Sequence, residues 1–171
     1  MTDGSVIING PTTNNNGALD YYYTCEISSG FLLVVGSSGM AQLLGTSSTQ
    51  YSLKLTFPSS QSANTIIHIA SADGAENLTF MPTKAYQSVI FSSPTLINGV
   101  TYTVYTGGSA TGTIIDNLYT DGTYTAGTEI DSFTISSIVT SIGSAENSAQ
   151  GQTAGDPAMG GNIPGSGGRR R

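Results

Sequence analysis

Tryptophan is missing from this sequence, cysteine and histidine occur once each, and only 9% of the 171 residues are charged. Soluble domains usually carry about 25% charged residues. A lone cysteine, Cys25, permits no intrachain disulfide and leaves the redox compartment open. It reads as a small buried hydrophobe. One histidine leaves no room for a His-based metal cluster, and no zinc spacing, phosphate loop or dinucleotide fingerprint is present. His68 lies mid-strand, facing away from Ile67 and Ile69, as an exposed or half-buried structural residue. A pairing of Cys25 with His68 would have nothing to orient it. The serines lack a partner base, and "GSSGM" (36–40) is not a nucleophile elbow. A non-catalytic protein is expected.

Cations are scarce in particular. Arg169, Arg170 and Arg171 end the chain, so residues 1–168 set Lys54 and Lys84 against all eleven carboxylates. Such a body repels nucleic acid and anionic membranes and attracts cations. No run approaches the ~20 apolar residues of a membrane span. The N-terminus shows neither the basic region nor the apolar core of a signal peptide, so a leader is not visible in this sequence.

What the chain has is glycine, serine, threonine and asparagine, the composition of short strands joined by turns. "YSLKLTF" (51–57) alternates Tyr51, Leu53, Leu55 and Phe57 against polar residues, and Pro58 is expected to end that strand. "TIIHIAS" (65–71), "ENLTFMP" (76–82), "YQSVIFSS" (86–93), "TYTVYTG" (101–107) and "EIDSFTISSIVTSI" (129–142) follow at regular spacing. Asp73-Gly74, Asn98-Gly99, Gly107-Gly108 and Asp121-Gly122 supply turns between them. Regular short strands with such turns imply an antiparallel sandwich or barrel. No segment has a helical period.

The beginning of the chain is different. "VIINGPT" (6–12) and "EISSGFL" (26–32) share Ile-x-x-Gly, aligning Ile7 with Ile27 and Gly10 with Gly30. Repetition at that spacing suits the coils of a solenoid, each burying its strand against its neighbours. Phe31–Val35, five apolar residues between glycines, would be a strand buried in the stack. The expected fold is therefore all-β: terminal coils of a parallel β-solenoid (1–45), a β-sandwich-like cap (46–142) and a Gly/Ser/Pro-rich tail (143–171). The tail's own composition does not repay the entropy of ordering it.

Asp3, Asn14, Asn16 and Asp20 offer oxygen ligands at corners, the chemistry Ca²⁺ prefers. The same residue types also serve as plain corner formers. Tyr21, Tyr22 and Tyr23 supply apolar faces with hydrogen-bonding tips, suited to carbohydrate or to protein interfaces. Tyr102 and Tyr124 read as half-buried strand residues.

The stretches "DGSVIINGPTTNNNGALDY", "GSSGMAQ", "KAYQSVIFSSPTLINGVTYTVYTGGSATGT" and "DNLYTDGTYTAGTEIDSFTISS", with the Gly/Met/Pro tail, carry a resemblance across nearly the whole chain. They resemble the C-terminal part of a bacterial family of extracellular carbohydrate-binding proteins, calcium-containing and of parallel β-helix type. The resemblance implies last helix coils followed by a β-rich cap, polygalacturonate-like acidic polysaccharide as ligand, Ca²⁺ as cofactor, and an extracellular or cell-surface location. Where the family tends to have an acidic residue and a glycine after the Asp-Tyr pair, this chain has Tyr22 and Tyr23. An open coil end also implies a second role, a subunit of a self-assembling head-to-tail filament. Phe31, Met159 and Ile163 are its expected contacts.

Overall fold

The computed structural model describes residues 1–143, and Met159, Ile163 and the rest of 144–171 lie outside the described residues. The described chain is all-β. Its strands are β1 (Ser5–Asn9), β2 (Phe31–Gly36), β3 (Ser52–Gln61), β4 (Ile67–Ser71), β5 (Glu76–Phe80), β6 (Tyr86–Ser92) and β7 (Thr101–Thr106). After these come β8 (Ser109–Ala110), β9 (Thr113–Ile115), β10 (Leu118–Thr120), β11 (Tyr124–Thr125), β12 (Thr128–Thr134) and β13 (Val139–Gly143).

Two open sheets share one core. The first has the order β1-β2-β6-β3-β13 and the second β12-β7-β4-β5-β10-β9, while β8 and β11 form a small ribbon. The second sheet is antiparallel throughout, with β4–β5 and β9–β10 joined as hairpins. In the first sheet only β1–β2 and β3–β13 are parallel. Leu33, Val35, Leu53, Leu55, Phe57, Val89 and Phe91 of the first sheet meet Ile67, Ile69, Leu78, Phe80, Tyr102 and Val104 of the second. Strand alternation places these residues inward.

The other face of the first sheet is also covered. Leu32, Val34 and Ile90 join Ile27 and Leu44 in a second cluster, flanked by Met1, Ile8, Ala18, Leu19 and Cys25. Residues 10–30 and 37–50 lie across this face and bond to one another. Ser37 N–H donates to Pro11 C=O (2.8 Å), Gly45 N–H to Cys25 C=O (2.7 Å) and Thr49 N–H to Ile27 C=O (3.0 Å). The Met1 ammonium donates to Glu26 C=O at 2.7 Å. One segment thus rests on the next as β1 rests on β2.

The register differs from the one expected of the repeat: Ile7 pairs with Leu33, and not with Ile27. Ile27 instead enters the outer cluster from a segment without strand structure. Near the start of the chain parallel stacking is limited to β1 on β2 and their connecting segments, and β3 with β13 is the sheet's other parallel pair. Phe31 N–H donates to Gly4 C=O (2.9 Å) and Gly10 N–H to Val35 C=O (2.6 Å). The peptide groups of Gly4, Val6, Ile8 and Gly10 therefore face β2, and those of Ser5 and Ile7 face the open side.

Three strand boundaries depart from the sequence reading. β3 continues through Pro58 to Gln61, with a register irregularity against β6 between Thr56 and Gln61. Pro58 is exposed there, and a residue with no N–H is tolerated where the ladder lapses. The segment 129–142 divides into β12 and β13, which belong to different sheets. Residues 113–120, not read as strand, form the hairpin β9–β10 around Asp116 and Asn117, with φ of 50° and 66°. Two consecutive positive φ values are the mark of a type I′ hairpin turn. Among the described residues no helix is long and apolar enough to cross a membrane.

Candidate functional site

The segment 10–30 presents an aromatic crest. Ala18 and Leu19 pack down onto the outer cluster, as does Cys25 further on. The chain between them rises to the surface. Tyr21 is the anchor of its group: its hydroxyl donates to Leu43 C=O, its N–H donates to Gln42 Oε1 at 2.8 Å, and Gln42 Nε2 returns a bond to its carbonyl at 3.3 Å. Burial, followed by the nearby Cys25, pushes the Tyr21 phenol up from its ordinary pKa. Tyr22 and Tyr23 point outward, 89% and 88% exposed, with their rings edge to face at 4.6 Å.

The four expected oxygen ligands are not gathered. Asp3 precedes β1 and its Oδ1 accepts the Gly4 N–H at 2.7 Å. Asn14 and Asn16 follow the far end of that strand, about 16 Å away at the usual rise per residue. Asn14 Oδ1 accepts the Gly39 N–H (3.2 Å) and the Asn16 carbonyl accepts the Ser37 hydroxyl (3.0 Å). Asn14 holds one segment to the next through its side chain, the corner role open to it in the sequence, whereas Asn16 does so through its backbone. Asp20 is exposed, close to the tyrosines. Among the described residues no three His, Cys, Asp or Glu side chains are grouped as a metal would need. Such a count leaves amide and backbone oxygens open. Phe31 opens β2 half-buried, its ring edge-on to Phe91 at 5.6 Å.

A different concavity lies where the two sheets part. On one side β12 and β13 touch and close the pair. On the opposite side the edges are β1 and the hairpin β9–β10, and between them are two adjoining clefts of about 410 Å³ each. The first is lined by Phe31, Leu78, Leu118, Thr120, Asp121 and Gly122. The second is lined by Ser5, Ile7, Asn9, Thr83, Asp116 and Asn117. Ser5 pairs with Phe31 across β1–β2, and Asn117 precedes Leu118, so the clefts are neighbours along the edge. Asp116, Asn117 and Asp121 all have positive φ. Asp and Asn take this conformation readily in tight turns, so the turn itself accounts for Asp116 and Asn117. Sequence reading noted Asp121 only as a turn. The doublet Asp116-Asn117 between apolar pairs was the available signal for the rest.

The remaining polar clusters are structural in form. His68 is buried on the outer face of the second sheet, more deeply than expected, with Nδ1 2.8 Å from Thr79 Oγ1 and its ring stacked on Tyr124 at 3.9 Å. Cys25 lies beyond the outer face of the first sheet, so the two do not meet. Tyr102 is fully buried, where half-burial was expected. Its hydroxyl accepts the Ile97 N–H (2.8 Å) and donates to Thr95 C=O (3.1 Å), which satisfies the phenol inside the core.

Comparison with protein-family models, curated proteins and solved structures gave no match for this chain.

Proposed function

We propose that the protein is a non-catalytic, extracellular carbohydrate-binding protein that takes up acidic polysaccharide of the polygalacturonate kind through calcium. The observation that carries this reading is the Tyr22–Tyr23 pair, two large aromatic rings exposed on a segment anchored by Tyr21. An exposed phenol offers a sugar both a stacking face and a hydrogen-bonding tip. Asp20 and the backbone carbonyls of the same segment supply hard oxygen donors beside it, and a carboxylated sugar reaches an acidic body through a bridging cation. In this reading residues 1–45 are terminal coils of a parallel solenoid and 46–142 its cap. Segment-on-segment bonding between 10–30 and 37–50 supports the coil assignment.

Titration calorimetry with polygalacturonate tests it. Calcium-dependent heat is expected, abolished by EDTA and reduced about tenfold in affinity by Tyr22→Ala with Tyr23→Ala, since two lost aromatic contacts at about 0.5–1.5 kcal/mol each together reach that factor. Calcium-dependent binding untouched by the double substitution would remove the tyrosines from the site. No calcium-dependent heat at all would remove the function.

A second reading, a self-assembling filament subunit, is favoured by the open side of β1. The strand SVIIN bears no charge, and Val6 is 41% exposed. An unguarded apolar edge is a template for another strand, and a head-to-tail contact there propagates. Pelleting and negative-stain fibres distinguish it from a monomeric binding module.

A further inference from the structure

We propose that the inter-sheet clefts between β1 and the β9–β10 hairpin form a second binding site, one that takes a short segment of neutral glycan without a cation. The floor is apolar: Ile7 and Phe31 come from the first sheet and Leu78 and Leu118 from the second, all packed against the core at their inner ends. Ser5 and Asn9 share the inward face of β1 with Ile7 by strand alternation. With Thr120 they place hydroxyl and amide groups along the walls. Asp121 lines one cleft and Asp116 the other. The volumes fall within the ~300–1,000 Å³ usual for small-ligand sites.

Charge selects the occupant. Asp116 and Asp121 line the clefts, and no lysine or arginine does. Lys84 donates to the carbonyl of Asn9, a residue of the second cleft, at 3.3 Å, so the unopposed carboxylate is that of the first. An anionic sugar would enter a field of its own sign. A neutral glycan instead lays the C–H face of one sugar on Phe31 and Leu118 beside Asp121 and that of another on Ile7 beside Asp116, each donating hydroxyls to the carboxylate of its own cleft as charge-assisted hydrogen bonds. The hairpin turn fixes one of these acceptors. Asp116 and Asn117 occupy the left-handed region that the tight turn demands, and Asp121 takes it again just beyond β10. The backbone that carries both carboxylates is therefore fixed without a ligand, which lowers the ordering cost of binding.

This site is independent of the calcium-dependent one, and the test separates them. The full chain, in EDTA, is titrated with cellohexaose, xylohexaose, mannohexaose and trigalacturonate. At least one neutral hexasaccharide is expected to bind, and trigalacturonate is not. The double variant Asp116→Asn with Asp121→Asn should weaken neutral binding about tenfold, because each carboxylate hydrogen bond is stronger than its amide counterpart. Asn is itself tolerated at positive φ, so the turn is kept. Tyr22→Ala with Tyr23→Ala should leave neutral binding within about twofold, and NMR shifts should centre on Ile7, Leu118 and Thr120. Four outcomes overturn the proposal: no binding of any neutral hexasaccharide at millimolar concentration, binding that follows the tyrosines, trigalacturonate binding equally well in EDTA, or self-association of the free chain that buries Ile7 and Leu118. None of them touches calcium-dependent polygalacturonate binding, which stands or falls on its own titration.

Discussion

β2 and β7 are strands of equal length, FLLVVG and TYTVYT, and they are buried in different patterns. In β2 every residue after Phe31 is buried. In β7 burial alternates, with Tyr102, Val104 and Thr106 inside and Thr101, Thr103 and Tyr105 partly exposed. The first sheet carries the shared core on one face and the segments 10–30 and 37–50 on the other. On the second sheet's outer face, Tyr124 of β11 stacks over His68 beside Tyr105, while Thr101 and Thr103 of β7 stay partly open to water. A strand covered on both sides reads as a continuous apolar run, and one covered on a single side reads as period two. The apolar run 31–35 is thus accounted for by two layers of packing. The outer layer is supplied by segments 10–30 and 37–50, bonded to each other.

The largest test of that contrast is a charge placed on each outer face. Val34 is 1% exposed and belongs to the outer cluster with Leu32, Leu44 and Ile90. Val34→Asp removes its packing and buries a carboxylate with no partner. A loss of at least about 3 kcal/mol is expected, read from the urea midpoint and its slope. If this variant loses under 1 kcal/mol, the segments 10–30 and 37–50 do not cover the sheet in solution.

A middle-sized effect separates the two layers by pH. Tyr86 stands in the shared core, its hydroxyl donating to Thr65 C=O at 3.1 Å, and burial raises its pKa well above the ordinary phenol value, with Tyr124 adding to the rise. Above pH 10 the unfolded phenol loses its proton first, the native state binds more protons, and stability falls with pH. Lys54 lies under the outer layer with Nζ donating to Ala41 C=O at 2.6 Å, and burial lowers its pKa. Between that lowered pKa and 10.5 the native state is the first to release its proton, so stability rises with pH. Tyr86→Phe should cost about 1 kcal/mol at neutral pH and flatten the alkaline loss. Lys54→Met should change neutral stability by no more than about 1 kcal/mol, because relief of a buried charge offsets a lost hydrogen bond, and should erase the alkaline gain. Denaturant midpoints from pH 7 to 11 report both slopes, and equal slopes in wild type and variants would refute the two burial assignments.

Strands whose sequence alternates apolar with polar residues were legible, even where the polar side is covered, as at Lys54 and His68. Alternation in 51–57, 65–71 and 101–107 is a local signal, and each segment contains its strand apart from the extension of β3 beyond Phe57. The register of β1 was not legible. Ile-x-x-Gly recurs at 7 and 27, but the pairing that forms matches Ile7 with Leu33, because Leu33 and not Ile27 faces the shared core. A motif fixes residue types at corners, whereas register follows which face is buried. Of the site residues, the outward turn of Tyr22 and Tyr23 could be anticipated from three adjacent aromatics, which cannot all face one core. Asp116 and Asp121 gain meaning only from the opposite sheet, which lies more than a hundred residues earlier at Ser5. Non-local pairing of that kind leaves no mark in a window of sequence.

The smallest effect belongs to the part of the second sheet's outer face that stays partly open. Thr103 sits on β7 opposite Ala70 of β4 and Ser132 of β12, with its Oγ1 3.5 Å from the Ser132 hydroxyl, a long and weak contact. Lysine at this position keeps its stem on the sheet and carries its ammonium into water. Any attraction between that charge and surface carboxylates is worth little once screened by salt. Thr103→Lys should therefore shift stability by less than about 0.5 kcal/mol, against the several lost in Val34→Asp. The same cation on the other sheet's outer face would meet a packed layer, as Val34 does. If Thr103→Lys costs as much as Val34→Asp, something covers the second sheet at Thr103 as well, and the difference between β2 and β7 would have to come from sequence and not from layering.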